Sequence, residues 1–362
     1  MKLAAQIAKV IVGVLFIFSG LIKLNDPVGT EIKLEEYFEV FAQDLPALHD
    51  FFIGLIPFAL YFSVILCVAE VVLGVALLVS YKPKTTSWLL LITIICFTFL
   101  TFYSAYFNRV TDCGCFGDAI KLKPWTSFGK DVFLLALILF LVYHRKKFRA
   151  MPTGMIVAVA TVASVGVAFY AIRHLPIIDL LPYRVGASIP EQMKPSEEMK
   201  YKYVFEKDGK EVEFEKFPSD TTLKFKEMVL LNESAKPKIT DYRAWNDEGD
   251  FTQQTFEGNK LFIIVKNLND INIAAFPEIR KLVTDLKGKA VEPIILTSAS
   301  SDEMNEFLKT QQLTLPYYYA DATVLKTISR SNPGIWLLQN GVVKGKWHFN
   351  DTPDAQVVLS KL

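Results

Sequence analysis

The sequence predicts two parts of different fold class: a membrane-embedded α-helical bundle of about five transmembrane helices, followed by a soluble α/β domain. Three observations carry this reading. Five apolar stretches in the first half are long enough to span a bilayer. Most of the Lys, Asp and Glu lie in residues 186–362, whereas Leu, Ile, Val and Phe dominate residues 1–175. From Lys260 onward, short apolar runs alternate with helical patterns in the order β-α-β-α-β-α-β-β.

A spanning helix needs about 20 mostly apolar residues. The five stretches are Ala4–Leu24, a segment within Phe52–Tyr81, Ser87–Phe107, Phe128–His144 and Gly154–Ile172. The fourth is the shortest, because its clean apolar run starts only after Asp131. Trp125 before it, and Tyr143 with the basic run His144-Arg145-Lys146-Lys147 after it, are the flanks expected at a membrane interface. Ser19-Gly20 is followed by Leu-Ile-Lys rather than a small-residue cleavage signature, so the first stretch is read as retained. Lys and Arg collect on the cytoplasmic side of membrane proteins. Lys2, Lys82 and Lys84, and Arg145 to Arg149, therefore point to the cytoplasm. The acidic loop after the first helix faces outside, and so does segment 108–127. An odd number of spans puts the C-terminal domain outside as well. Glu31–Ala42, within the acidic loop, predicts a partly amphipathic surface helix that presents Tyr37, Phe38 and Phe41 to lipid or protein.

The net charge of +1 on 362 residues carries no nucleic-acid footprint. All four cysteines, Cys67, Cys96, Cys113 and Cys115, lie in the first half. Cys67 and Cys96 sit mid-helix and read as packing residues. Cys113 and Cys115 flank Gly114 in the outer loop. Two cysteines so close on a flexible backbone can meet as a strained, readily exchanged disulfide, in a compartment where disulfides persist. A thiol–disulfide redox pair, a structural staple, a metal site and unpaired thiols all remain open. A closed zinc site wants four ligands, and no His or further Cys is near, so no metal is assigned. Glu70 interrupts the second stretch. A carboxyl inside the bilayer normally faces the bundle interior. It is either a proton carrier or an interhelical lock, with Lys23 or Ser19 as partner. Lys130-Asp131, adjacent in sequence, are expected not to face each other and to anchor at the interface.

Phe18-Ser19-Gly20-Leu21-Ile22-Lys23-Leu24, Ala69-Glu70 with Leu73-Gly74, and Cys113-Gly114-Cys115-Phe116-Gly117 resemble the MauE/DoxX group of small membrane proteins over residues 5–145. The resemblance implies a four-helix core, distantly like that of vitamin K epoxide reductase. MauE-like proteins are associated with methylamine utilisation, where they help mature a disulfide-rich periplasmic dehydrogenase subunit. DoxX-like proteins include a quinone-reducing oxidoreductase subunit, so the resemblance admits a quinone as cofactor, although no residue fixes one.

In the second half, His174–Gly186 is a linker punctuated by Pro176 and Pro182. Tyr201–Phe205 and Glu211–Phe214 form an expected hairpin, and Thr222–Leu231 an expected helix. The acidic turn Asp247-Glu248-Gly249-Asp250 lacks calcium-loop spacing. From residue 260 the expected elements are strand Leu261–Val265, helix Ile273–Leu286, strand Val291–Thr297, helix Asp302–Gln311 capped by Ser301, strand Tyr317–Ala320, helix Thr323–Ile328, and strands Ile335–Leu338 and Val342–Trp347 about an Asn340-Gly341 turn. This order resembles the thioredoxin fold over residues 255–350. Pro333 stands where that fold places a cis proline, and Pro277 where it kinks the first helix. The resemblance puts the redox motif on Asn269-Asp270-Ile271-Asn272, with both cysteines missing. Asn cannot serve as a thiolate nucleophile. The domain is therefore expected to bind rather than to catalyse, using Asn269, Asp270, Asn272, Asn332, Pro333 and Trp336 for a partner. A bundle fused to such a domain is similar to a group of proteins common in Bacteroidota.

The expected domains are 1–150 (bundle), 151–186 (fifth helix and linker), 187–258 (β-rich extension) and 259–362 (thioredoxin-like). The expected partners are the lipid bilayer and an extracytoplasmic protein. The expected location is the inner membrane, with the N-terminus cytoplasmic and the C-terminal domain periplasmic. Three function classes stand: a membrane thiol–disulfide or quinone-linked oxidoreductase or assembly factor, a non-catalytic scaffold of an envelope complex, and, weakest because five helices are few and no inverted repeat or pair of broken helices is visible, a small-molecule transporter.

Overall fold

The structure is a computed structural model that describes residues 2–110, 117, 122–145, 148–207, 210–220 and 222–362. It divides into two compact units, Met1–Leu180 and Leu181–Leu362.

The first unit is helical. Its elements are α1 (Lys2–Asn25), α2 (Pro27–Asp44), α3 (His49–Leu55), α4 (Ala59–Leu78), α5 (Pro83–Phe107), α6 (Pro124–His144) and α7 (Gly154–Arg173). Among the described residues, five helical segments are long and apolar enough to cross a membrane. The segment expected within Phe52–Tyr81 is not one continuous helix. A 3₁₀ turn at Ile56–Phe58 separates α3 from α4, and Pro57, with no N–H to donate, sits in that turn. The span expected to be the shortest is a 21-residue helix, begun by Pro124.

α1 shows how these helices meet two environments. Leu3, Ile7, Val10, Val14, Phe18 and Leu21 form an exposed stripe, while Ala5, Ala8, Val12, Phe16 and Leu24 are buried. Both faces are apolar. An exposed apolar surface of this size fits lipid rather than water. The buried face packs with Leu73 and Leu77 of α4, Leu90 and Ile94 of α5, and Leu134, Ile138 and Leu141 of α6. Of the two environments expected for the aromatic face of α2, lipid or protein, the structure shows protein, so the helix packs on the bundle more closely than a surface helix. Tyr37 and Phe41 are buried against Tyr103 and Val110, and Phe38 meets Phe62 edge-on.

The second unit is α/β. Its elements are α8 (Ile189–Gln192), β1 (Tyr201–Lys207), β2 (Lys210–Phe214), β3 (Lys224–Leu230), β4 (Trp245–Asn246), β5 (Gly249–Asp250), β6 (Asn259–Val265), α9 (Phe276–Asp285), β7 (Glu292–Thr297), α10 (Ser301–Thr310), β8 (Tyr317–Tyr319), α11 (Ala322–Ile328), β9 (Gly334–Gln339), β10 (Val342–His348) and α12 (Ala355–Ser360). Strands β2-β1-β3 form an antiparallel sheet. The expected helix at Thr222–Leu231 is therefore strand β3. Its Lys-Phe-Lys-Glu-Met-Val-Leu run fits a strand once β1 offers a ladder to pair with.

The larger sheet has the order β10-β9-β6-β7-β8-β4-β5. β6, β7 and β8 run parallel; β9 is antiparallel to β6, and β10 to β9. β6 is apolar throughout because it is covered on both faces. Leu261, Ile263 and Val265 pack with α9, α10 and α12, while Phe262 and Ile264 pack with α11, Trp336 and Tyr183. Each such side chain contributes about 1.5–3 kcal/mol on burial. α10 is capped by Ser300, not Ser301, in a reciprocal capping box with Glu303. Segment 186–189 is stitched to β10: Gly186 N donates to Val343 O at 2.8 Å, Val343 N to Ala187 O at 2.9 Å, and Ile189 N to Gly341 O at 2.9 Å.

Candidate functional site

α1 and α4 approach closely because small residues line their contact. A Cβ on Gly20 would lie 2.9 Å from Val71 N, and one on Gly74 would lie 2.8 Å from Gly13 O. Glycine contacts of this kind are how membrane helices come together without a hydrophobic drive. The approach brings Lys23, in the last turn of α1, onto Glu70 of α4. Lys23 Nζ lies 2.5 Å from Glu70 Oε1, and Glu70 is 1% exposed. The same ammonium lies 4.5 Å from the centre of the Phe97 ring on α5, a cation–π contact. Of the two partners proposed for Glu70, the structure pairs it with Lys23.

A second ionic pair with a fully buried carboxylate lies in the same unit, and sequence reasoning missed it. Asp131 is fully buried; Lys130 Nζ reaches its Oδ1 at 2.5 Å, and Thr101 of α5 donates to its Oδ2 at 3.0 Å. Adjacent positions on a helix do not share a face. Here the long Lys130 side chain turns back across the helix surface and closes the pair. The interface-anchor expectation for Asp131 is thus corrected. The available signal was a carboxylate three residues after Phe128, inside an otherwise apolar span.

Ser19, Glu70, Phe97, Lys130 and Asp131 together line a cavity of about 20 Å³. With Lys23 on Glu70, two ammonium and two carboxylate groups therefore gather between four apolar helices, at the end of the bundle where α1 finishes and α6 begins. Charges in such a setting are costly unless paired, and they mark proton or substrate pathways. Cys67 is buried beside Thr30 and Ser63, and Cys96 is exposed on α5. Cys113 and Cys115 lie outside the described residues. So do residues 111–116, which join α5 toward α6 in sequence.

In the second unit, the residues proposed for partner binding gather at the C-terminal end of β6. The Asn332–Pro333 peptide bond is cis. Asn332 Oδ1 accepts from Lys266 N, its Nδ2 donates to Asn267 O, and its carbonyl accepts from Asn272 N, each at 3.0 Å. Asn267 in turn accepts from Asp270 N at 2.9 Å, and Asn272 caps the turn into α9 by accepting from Ala274 N at 3.0 Å. Asn269 and Asp270 are exposed. Trp336 departs from the expectation. It is wholly buried against Tyr183, Tyr242 and Phe262, so its side chain is part of the core and not of the exposed surface. Elsewhere in the unit, Asp250 accepts from Thr252 and from Arg243 Nε at 2.8 Å, which holds its carboxyl down at about 2. No group of three or more His, Cys, Asp or Glu able to hold a metal occurs among the described residues.

Lipid-facing apolar stripes, five helices of spanning length and a paired charge cluster in the bundle interior define a multi-pass membrane protein that carries an α/β domain. Residues 1–144 match the family model of the methylamine utilisation protein MauE. No curated protein matches the chain.

Proposed function

We propose that this is an inner-membrane protein that exchanges disulfides with proteins outside the cytoplasm, using Cys113 and Cys115. The observation that supports this best is the buried Lys23–Glu70 pair within the MauE-matched residues, a group able to handle protons inside the bilayer. A partner thiolate attacks one sulfur of the Cys113–Cys115 disulfide, and the other cysteine leaves as a thiolate. The partner's second thiolate then resolves the mixed disulfide. Two electrons pass to the cysteine pair, and two protons follow from the partner's thiols. Reoxidation passes those two electrons and two protons to an acceptor of the quinone class, which leaves as the quinol, and Glu70 relays protons one at a time on that route. In this reading the N-terminus is cytoplasmic, which the loop charges support, and residues 181–362 are periplasmic, which agrees with five candidate spans among the described residues.

The second unit is proposed to be a thioredoxin-like binding module. Its parallel β6–β7 pair, the antiparallel β9–β10 hairpin and the proline before β9 favour that fold. The amide-rich Asn269, Asp270, Asn272 and Asn332 surface suits hydrogen bonding to an extended peptide. Because this half contains no cysteine, a second reading stands beside the first: a scaffold subunit with no redox step. Thiol trapping in cells separates the two. Cys113 and Cys115 are expected to shift between oxidised and reduced forms when an envelope oxidant is removed, and Cys115→Ser to capture a mixed-disulfide partner. A pair that stays in one state under every condition excludes the exchange reading.

A further inference from the structure

We propose that Glu70 and Asp131 share one water and form a single proton-exchanging site inside the bundle, with Ser127 continuing it toward the start of α6. Three observations converge. Both carboxylates line the same cavity, and its volume of about 20 Å³ exceeds the roughly 10–15 Å³ that one water needs. Water also needs two to four polar partners, and Ser19, Lys130 and the two carboxylates supply them. Finally, the Ser127 hydroxyl is fully buried and has no hydrogen-bond partner among the described residues. It precedes Asp131 by one turn on the same face of α6, about 6 Å along the axis. A buried hydroxyl left unpaired in a native bundle points to an ordered water.

The cavity is lined by groups from every helix around it: Ser19 from α1, Glu70 from α4, Phe97 from α5, and Lys130 and Asp131 from α6. Lys23 holds Glu70 and Thr101 holds Asp131 from outside the lining, and Ser127 lies one turn before Asp131. Two cations balance two carboxylates. A hydronium that reaches the cavity gives its proton to one carboxylate and leaves a water behind, so charge and atoms balance. The acid formed weakens the hold on its lysine, and the other carboxylate, on the same cavity, is left beside an excess of positive charge. Protonating one site must therefore change the affinity of the other, and each change must equal its converse. Only the use made of the proton rests on the proposed thiol exchange; the site itself does not.

The test is infrared spectroscopy of the full chain in proteoliposomes, with carboxyl-labelled Asp or Glu to tell the two groups apart. Both are expected to titrate in two coupled steps and to shift in heavy water. Asp131→Asn is expected to move the Glu70 midpoint, and Glu70→Gln to move that of Asp131 by the same amount. Independent midpoints, or carboxyl bands that ignore heavy water, overturn the proposal. If either variant fails to assemble, the wild-type curves still report the coupling. Ser127→Ala keeps all four charges and is expected to slow deuterium exchange at Asp131 several-fold; an unchanged rate removes Ser127 from the route. If thiol trapping shows inert cysteines while the coupling holds, only the thiol reading falls.

Discussion

Replacing Glu70 by Gln leaves the Lys23 ammonium facing a neutral amide where water scarcely reaches. Breaking one side of a buried pair costs about 3–5 kcal/mol, whereas replacing both sides by apolar groups is often neutral. Glu70→Gln is therefore expected to lower the thermal midpoint of the detergent-solubilised protein. The double variant Lys23→Met/Glu70→Leu should recover most of that stability without recovering cysteine cycling. A double variant as unstable as the single one would show that the pair does not act as a unit. Asn332 makes a comparable test in the other unit. Asn332→Ala removes two side-chain hydrogen bonds that pin residues 266 and 267, each contributing about 0.5–1.5 kcal/mol. Faster amide exchange over residues 266–272 is the expected result, with little change in β1 to β3. Asp250 titrates with a known sign. Its folded value, about 2, is below the ordinary 3.8, so its contribution is complete above 3.8 and is lost as pH falls through about 2. Asp250→Asn should remove that acid limb from the unfolding profile. At this scale, Glu70 was legible because a lone carboxylate interrupts an apolar run. The Lys130–Asp131 pair was not, because helical spacing describes where side chains start and not how far a lysine can fold back.

The α1–α4 contact sets the geometry of the charged site. A methyl group at Gly74 would press on Gly13 O and Ile17 N, which are backbone atoms with no rotamer to yield. Gly74→Ala is expected to separate the two helices and loosen the Lys23–Glu70 pair, whereas Gly166→Ala, with open space around its Cβ, should be neutral. Crosslinking between cysteines placed on α1 and α4 would reveal the separation as a fall in yield. The spans themselves were readable from hydropathy alone, since lipid imposes length and apolarity on every one of them. Their internal breaks were less so: Pro57 ends α3, yet nothing in the hydropathy of that stretch changes there. Strand β3 shows the converse limit. Its own pattern is ambiguous, and only pairing with β1 decides it.

For the molecule as a whole, the span count makes a sharp topological claim. A single cysteine placed in the cysteine-free second unit should react with a membrane-impermeant maleimide from the outside, and one near Lys2 only after lysis. The reverse pattern would invert the proposed orientation. The fold class of both units was legible, because lipid and a two-sided sheet each impose strong periodic signatures. The charged centre was only partly so, since it is assembled from four helices. The stitching of segment 186–189 to β10 has a consequence for life on a surface. A membrane confines copies of a protein to two dimensions, where neighbours meet often and an unpaired strand invites them to add on. Here one border of the large sheet is covered by its own chain, and the other tapers to the two residues of β5. The small sheet ends in strands bearing Lys210, Glu211, Lys224 and Lys226. The large sheet thus offers neighbours no long free edge, whereas on the small one β3 also exposes Phe225 and Met228, and its lysines are what oppose strand addition there.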